Sequence, residues 1–149
     1  MLNFHIMKRI KIGDNMKLIS LFEKQDTRTN KTVWGILHTP DKLLLGKRAP
    51  GTNNANQWNF FGGHVDKGES PEMALCREVF EEIRIKLKPS DLKLIGSIGD
   101  ATYYSVLVKG ELGKETPEIS KLKFFKLTDL PDNLHNKTAQ FFDRLDLLL

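Results

Sequence analysis

The chain has 149 residues, 40% of them hydrophobic, a formal net charge of +4 and one cysteine. That is one domain's length with apolar content enough for a single core, which excludes a disordered chain, and Cys76 alone cannot form an internal disulfide. No apolar run reaches roughly 18 residues and the N-terminus lacks an apolar stretch with a cleavage site, so neither a helical membrane span nor a secretory signal is expected, and the expectation is a cytoplasmic protein.

Residues 1–149 are read as one domain without repeats, low-complexity tracts or an interdomain linker. Met1–Asn15 matches no element and is either an added strand or an extension, with Met7 and Met16 as alternative starts. Met16–Phe22 is a short strand candidate, and Thr32–Thr39 is another. Pro40-Asp41 turns the second into Lys42–Arg48, the returning arm of a hairpin. Ala49–Asn56 carries Pro, Gly and four polar amides or hydroxyls without periodicity, so it is loop. Trp58–Phe61 reads as a strand and Gly62-Gly63 as a glycine turn behind it. Ser70 suits a helix N-cap, with Pro71 at the first helical position. The helix then places Leu75, Cys76, Val79, Phe80 and Ile83 on the side facing a core. Leu92–Ile98, Thr102–Val108 and Lys121–Leu127 are strands, Thr128–Pro131 is a turn, and a last helix spans about Leu134–Leu148. Leu134, Phe141, Phe142, Leu145 and Leu148 would pack that helix on a sheet face. Strands mixed with two helices fit an α/β class, a sheet held between helices.

The chemistry concentrates in the first helix. Glu78, Glu81 and Glu82 lie at i, i+3 and i+4, so they share one helical face. Glu78 and Glu82 repel at i+4, and the nearest cation in the helix is Arg77, at the edge of that face. A solvated acidic face is the bland reading. The preceding strand, glycines, loop and cap favour a built site instead, and hard oxygen ligands clustered this way suit Mg²⁺ or Mn²⁺. Such cations bridge to phosphates, and the excess positive charge elsewhere would steer a polyanion toward them. No long basic run or basic-aromatic interleaving points to nucleic acid.

The spacing of Gly63, Glu69, Arg77-Glu78-Val79, Glu81-Glu82 and Ile85 resembles the Nudix box, with Arg84 where the box has Gly. The looser resemblance covers about residues 30–132. It implies a Nudix-type α/β/α sandwich with a mixed sheet, and a Mg²⁺-dependent hydrolase of the diphosphate linkage in a nucleoside diphosphate derivative, Mn²⁺ being a substitute. Glu78 and Glu82 would be the principal metal ligands, with Glu81 a further or water-mediated one and the Gly62 carbonyl completing the set. Arg77 would orient Glu78, and Glu69 would be its partner across the loop. The catalytic base is either a box glutamate or Glu118, which is also placed like the family's additional metal carboxylate; Glu115 and Glu111 are the runners-up. The stretch Gly113–Glu118 has few apolar residues and is expected to move over the substrate.

Arg48 is a candidate for substrate phosphate or a solvated strand-end arginine. Trp58 is a base-stacking platform or a core residue. Tyr103, with Tyr104 beside it, resembles a tyrosine of diadenosine polyphosphate hydrolases, although a tyrosine in a strand needs no such role. Gly99-Asp100-Ala101 lacks the proline of many ADP-ribose hydrolases, and the cysteine pairs of a zinc ribbon are missing. Nucleoside triphosphates, dinucleoside polyphosphates and nucleotide sugars stay open. Cys76 reads as core and His64 as a local contact, while His5, His38 and His135 have no partner pattern. Arg84 either accepts the left-handed conformation of the family's Gly or the helix runs on toward Lys88-Pro89. The expected partner is a small nucleotide, with no membrane or nucleic acid and a homodimer left open. A Nudix-fold nucleotide-binding module without catalysis is the alternative function.

Overall fold

The computed structural model of the chain describes residues 28–145. The Met16–Phe22 strand candidate, Met1–Asn15, His5 and Leu148 lie outside those residues. In chain order the elements are β1 (Arg28–His38), β2 (Lys42–Arg48), β3 (Trp58–Asn59), β4 (Phe61–Asp66), α1 (Pro71–Ile83), β5 (Lys93–Ile98), β6 (Ala101–Leu107), β7 (Ile119–Lys126) and α2 (Asn136–Asp143). Short 3-10 turns at Pro89–Asp91 and Leu127–Asp129 complete the chain's described course.

The sheet is mixed and is organised around β1. That strand runs parallel to β6, from Thr32 opposite Ala101 to His38 opposite Leu107. Its other edge is antiparallel to β4, with Val33 opposite Gly63 and Trp34 opposite Gly62. β5 pairs antiparallel with β6, while β2 joins β1 at the hairpin and pairs antiparallel with β7 and β3. β1 starts four residues before the expected Thr32, because Arg28 finds a partner in Asp66 beyond an irregularity in the register.

Successive side chains of β1 point to opposite faces. Val33 and Leu37 enter one apolar cluster with Ala74, Leu75, Val79 and Ile83 of α1. Trp34 and Ile36 enter the other with Phe60, Tyr103 and Phe141, the last from α2. The sheet is therefore covered by a helix on each side, as the α/β/α reading expects. Among the described residues no helix is long and apolar enough to cross a membrane.

Three local expectations change. The strand over Trp58–Phe61 is broken at Phe60, whose N–H donates to Thr138 Oγ1 on α2 at 2.9 Å instead of joining a ladder. Gly62-Gly63 is no turn: both glycines sit inside β4. A Cβ on Gly62 would lie 1.9 Å from the Val33 carbonyl oxygen, and one on Gly63 would lie 2.8 Å from Glu78 Cδ. Close approach, not chain reversal, is what requires glycine here. Phe80 is 38% exposed and stands off the core that Ala74, Leu75, Val79 and Ile83 fill.

α1 begins as its sequence predicts, with the Ser70 hydroxyl accepting from Met73 N–H and Pro71 opening the first turn. It ends at Ile83. Arg84 takes the left-handed conformation (φ 63, ψ 22) and its N–H donates to the Phe80 carbonyl at 3.0 Å. Its guanidinium lies 5.4 Å from the centre of the exposed Phe80 ring, a modest compensation. α2 starts at Asn136, two residues after the expected Leu134, because His135 caps it through Nδ1, accepting from Lys137 N–H; it ends at Asp143, and the expected end at Leu148 lies outside the described residues.

A side chain in the left-handed region costs about 1 kcal/mol or somewhat more, which glycine avoids. Arg84→Gly should therefore leave the melting temperature unchanged or raise it by a few degrees. A clear drop in a thermal melt would mean that the arginine's own contacts outweigh the strain.

Candidate functional site

Arg77 organises the approach to the site. Its Nε and Nη2 donate to the two carboxylate oxygens of Glu69 at 2.9 and 3.0 Å, a bidentate pair across eight positions. Nη2 also donates to the His64 carbonyl at 3.2 Å, and Nη1 donates to Glu78 Oε1 at 3.0 Å. Glu69 closes the loop from its side by accepting from Asp66 N–H at 3.1 Å. One planar cation thus binds the end of β4, the loop and α1. Its hydrogen bond to Glu69 is the main reason that the Glu69 carboxyl is held below its ordinary range and the guanidinium above.

Two carboxylates next to this hub are far less well served. Glu82 is only 4% exposed. Its Oε1 accepts from Gly62 N–H at 2.8 Å, so it is the N–H of Gly62 that the structure joins to this glutamate. Burial pushes the Glu82 carboxyl well above its ordinary range, and the charges of Glu78 and Glu118 push the same way. Burial likewise pushes Glu78 up to about 7 in spite of Arg77, with Glu81 and Glu118 adding to the rise. Glu81 is different: 53% of its side chain is exposed, and its oxygens stand 3.4–3.5 Å from Arg77 Nη1.

Among the described residues no three His, Cys, Asp or Glu side chains are already clustered as a cation site. The donor chemistry nevertheless fits a hard divalent cation. A buried and a half-buried carboxylate one helical turn apart, both with raised proton affinity, attract further positive charge. Glycine at position 63 leaves the Glu78 carboxyl space that a Cβ would fill.

Glu118 comes from the segment before β7 and is exposed, yet its charge acts on both Glu78 and Glu82. Two backbone hydrogen bonds join that segment to its neighbours: Ala49 N–H donates to the Glu118 carbonyl at 2.8 Å and Lys114 N–H to the Ile83 carbonyl at 2.7 Å. Glu111 and Glu115 are exposed members of the same segment. Arg48 ends β2 half-buried, its Nε donating to the Asn53 carbonyl at 2.6 Å, and its charge reaches both Glu82 and His135.

The two aromatic candidates are placed elsewhere. Trp58 packs edge-on against Phe125, ring centres 5.0 Å apart, in the cluster under α2. Tyr103 is 0% exposed and its hydroxyl donates to the Lys137 carbonyl at 2.8 Å, so it has no face left for a ligand. His64 and His38 donate ring N–H groups to the Thr29 and Thr39 carbonyls.

Sequence reasoning missed a cavity of about 470 Å³ on the α2 side of β1 and β4. Thr32, Trp34, Asn54, His64, His135 and Gln140 are among its walls, and Gly63 borders it. Burial and the charges of Arg48 and Lys137 hold His135 below its ordinary range. Its Nδ1 accepts from Lys137 N–H, and Nε2 stands 3.2 Å from the Asn54 amide nitrogen. The partners are 81 positions apart, so no local pattern announces the pair.

A family model of the NUDIX domain matches residues 28–145. An RNA pyrophosphohydrolase of Francisella tularensis is 33% identical over 86 residues, 58% of this chain and 51% of that protein. A CTP pyrophosphohydrolase of Escherichia coli is 38% identical over 56 residues, 38% of this chain and 42% of that one. The chain thus spans about half the length of the curated relatives it matches. The crystal structure of a MutT NUDIX hydrolase from Burkholderia pseudomallei superposes with a TM-score of 0.65 at 27% identity, over 81% of this chain and 99% of that one.

The two strained carboxyls make stability depend on pH. A carboxyl that holds its proton more tightly folded than unfolded keeps the native state more protonated, so stability falls as pH rises. For Glu78 the window runs from 4.5 to about 7. His135, lowered from 6.5, acts in the opposite sense below that value, so the test is a difference. In EDTA the melting temperature of Glu78→Gln relative to the parent should climb between pH 5 and 7.5, and a flat or falling difference would refute the burial argument.

Proposed function

The chain belongs to the Nudix family, and on that premise we propose that it is a Mg²⁺-dependent hydrolase of the diphosphate linkage in a nucleoside diphosphate derivative. The observation that carries the proposal is the pair Glu78, half-buried against Gly63, and Glu82, buried against Gly62, both with raised proton affinity. Phosphoanhydrides resist water because their oxygens carry negative charge that repels a nucleophile. Chemistry of this kind asks a protein mainly for positioning and charge neutralisation.

Glu78 and Glu82 would hold the divalent cation, Mg²⁺ or Mn²⁺, with Glu81 and Glu118 near enough to join them and the Gly62 carbonyl as the backbone donor. Bound there, the cation neutralises phosphate charge and makes water more acidic. Arg77 keeps Glu78 oriented and is itself occupied by Glu69, so it is not offered to the substrate. Arg48, whose charge reaches Glu82, would be the cation for phosphate. Water oxygen attacks phosphorus, the bridging P–O bond breaks, and the displaced phosphate takes the electron pair. The proton of the water passes to a carboxylate, Glu118 or a box glutamate. The nucleoside would lie in the cavity past Gly63, whose amides, neutral imidazole and hydroxyl suit a base and ribose better than a further phosphate.

The curated relatives are named for an RNA and for CTP. The test panel therefore includes CTP and other nucleoside triphosphates, dinucleoside polyphosphates, nucleotide sugars and a 5′-triphosphorylated RNA, with products identified. Turnover should require Mg²⁺ or Mn²⁺. Tight nucleotide binding without turnover of any member would point to the binding module.

Glu82→Gln should keep the fold and lower the rate by orders of magnitude, as loss of a metal ligand does; near-normal turnover removes Glu82 from the metal site. Glu118→Gln separates its two roles. Recovery at high Mn²⁺ marks a ligand, and low turnover at saturating metal with loss of the acidic limb of the pH–rate profile marks the base. Full activity at low metal would exclude both.

A further inference from the structure

An α-helix leaves its last four carbonyls without partners of its own. In α1 one of them, Phe80, is met by Arg84 N–H. Two more are met from a distance: Thr116 Oγ1 donates to the Glu82 carbonyl at 2.8 Å, and Lys114 N–H donates to the Ile83 carbonyl. Gly113 makes this docking possible, since a Cβ there would stand 2.6 Å from the Ile83 carbonyl oxygen. The segment before β7 is therefore seated on the helical turn that carries Glu82.

The same threonine governs where Glu118 stands. Thr116 and Ile119 exchange backbone hydrogen bonds of 3.2 and 3.1 Å, which close a tight turn with Pro117 and Glu118 at its tip. Ile119 is buried, so the far end of that turn is anchored in the core. Thr116 thus sits at one junction, its backbone holding the Glu118 turn and its hydroxyl holding Glu82.

We propose that Thr116 is a positioning residue for the carboxylate site, its hydroxyl fixing the Glu118 turn to the backbone of Glu82 so that carboxylates from two separate elements face one cation. The proposal rests on the metal-dependent reading above. It singles out the hydroxyl because the backbone bonds of Lys114, Ala49 and the Thr116–Ile119 pair already keep the segment folded. Without the hydroxyl the turn stays folded but loses its register on Glu82.

Thr116→Val keeps the side chain's shape and deletes the donor, and Thr116→Ser restores it. Mn²⁺ binding to the substrate-free protein, followed by electron paramagnetic resonance, should weaken about tenfold or more in Thr116→Val, the range typical when a group supporting a metal ligand is lost. On whichever substrate the panel identifies, kcat should fall by a similar factor, KM for the nucleotide should change less than twofold, and Thr116→Ser should recover both affinity and kcat.

All measurements belong well below the variants' melting temperatures. Thr116→Val with parental Mn²⁺ affinity and kcat overturns the proposal, even if its melting temperature drops. A Thr116→Ser variant as impaired as Thr116→Val overturns it too, because the hydroxyl would then not be what matters. A parent that binds Mn²⁺ but hydrolyses nothing refutes the hydrolase reading alone, and the affinity comparison still decides the role of Thr116. A parent without Mn²⁺ affinity overturns both.

Discussion

The commitment of Arg77 to Glu69 is the constraint on which the site depends. A guanidinium offers a fixed fork of donors, and here two of them are taken by one carboxylate across the loop. What is left reaches Glu78 through a single nitrogen and does not reach Glu82 at all. The loop between β4 and α1 therefore gains a rigid shape, and the two inner glutamates keep an electrostatic deficit. Nη1 also stands within 3.5 Å of the Glu81 oxygens, so Arg77 meets the outer carboxylates and leaves Glu82 to the backbone N–H of Gly62. Orientation and deficit come from the same residue.

The deficit has to be buried to matter, and the backbone of β4 makes that possible. Gly62 takes a backbone conformation (φ 156) in which a Cβ would strike the Val33 carbonyl oxygen, and in that conformation its N–H donates to Glu82. Gly63 leaves room for the Glu78 carboxyl. β1 and β4 then separate two kinds of chemistry by their two faces. On the α1 side stand carboxylates with raised proton affinity; on the α2 side lies a cavity walled by amides, a hydroxyl and a neutral histidine. Gly63 borders both.

What the sequence disclosed were features set by residues close together in the chain. Ser70 and Pro71 announce the start of α1, Lys42–Arg48 announces the returning hairpin arm, and the spacing of Glu78, Glu81 and Glu82 announces a shared face. Helical geometry could not say which member of that face would be buried, since the answer depends on where β4 lies; Glu82 is interior and Glu81 is exposed. Phe80 departs from the expected core for the same reason: an apolar residue at the edge of a stripe is core only if a neighbour covers it. The break at Phe60 needs Thr138, and the histidine of the cavity needs Asn54, each about eighty positions distant. Tyr103 and Trp58 carry the residue types of a binding surface, yet α2 packs over one and Phe125 against the other.

The departure at Arg84 belongs to the same account. A helix continuing through that position would bond Lys86 N–H to the Glu82 carbonyl and Leu87 N–H to the Ile83 carbonyl, by the ordinary i to i−4 rule. Those are the two acceptors that Thr116 and Lys114 use. Termination at Ile83 is therefore the condition for docking the segment that carries Glu118, and the left-handed residue at position 84 is what enforces it. Glycine would enforce it without strain. Arginine does so at some cost, offset in part by its contact with the Phe80 ring. Arginine at position 84 thus keeps the backbone course that glycine would give, and with it both carbonyls on which the Glu118 segment is seated.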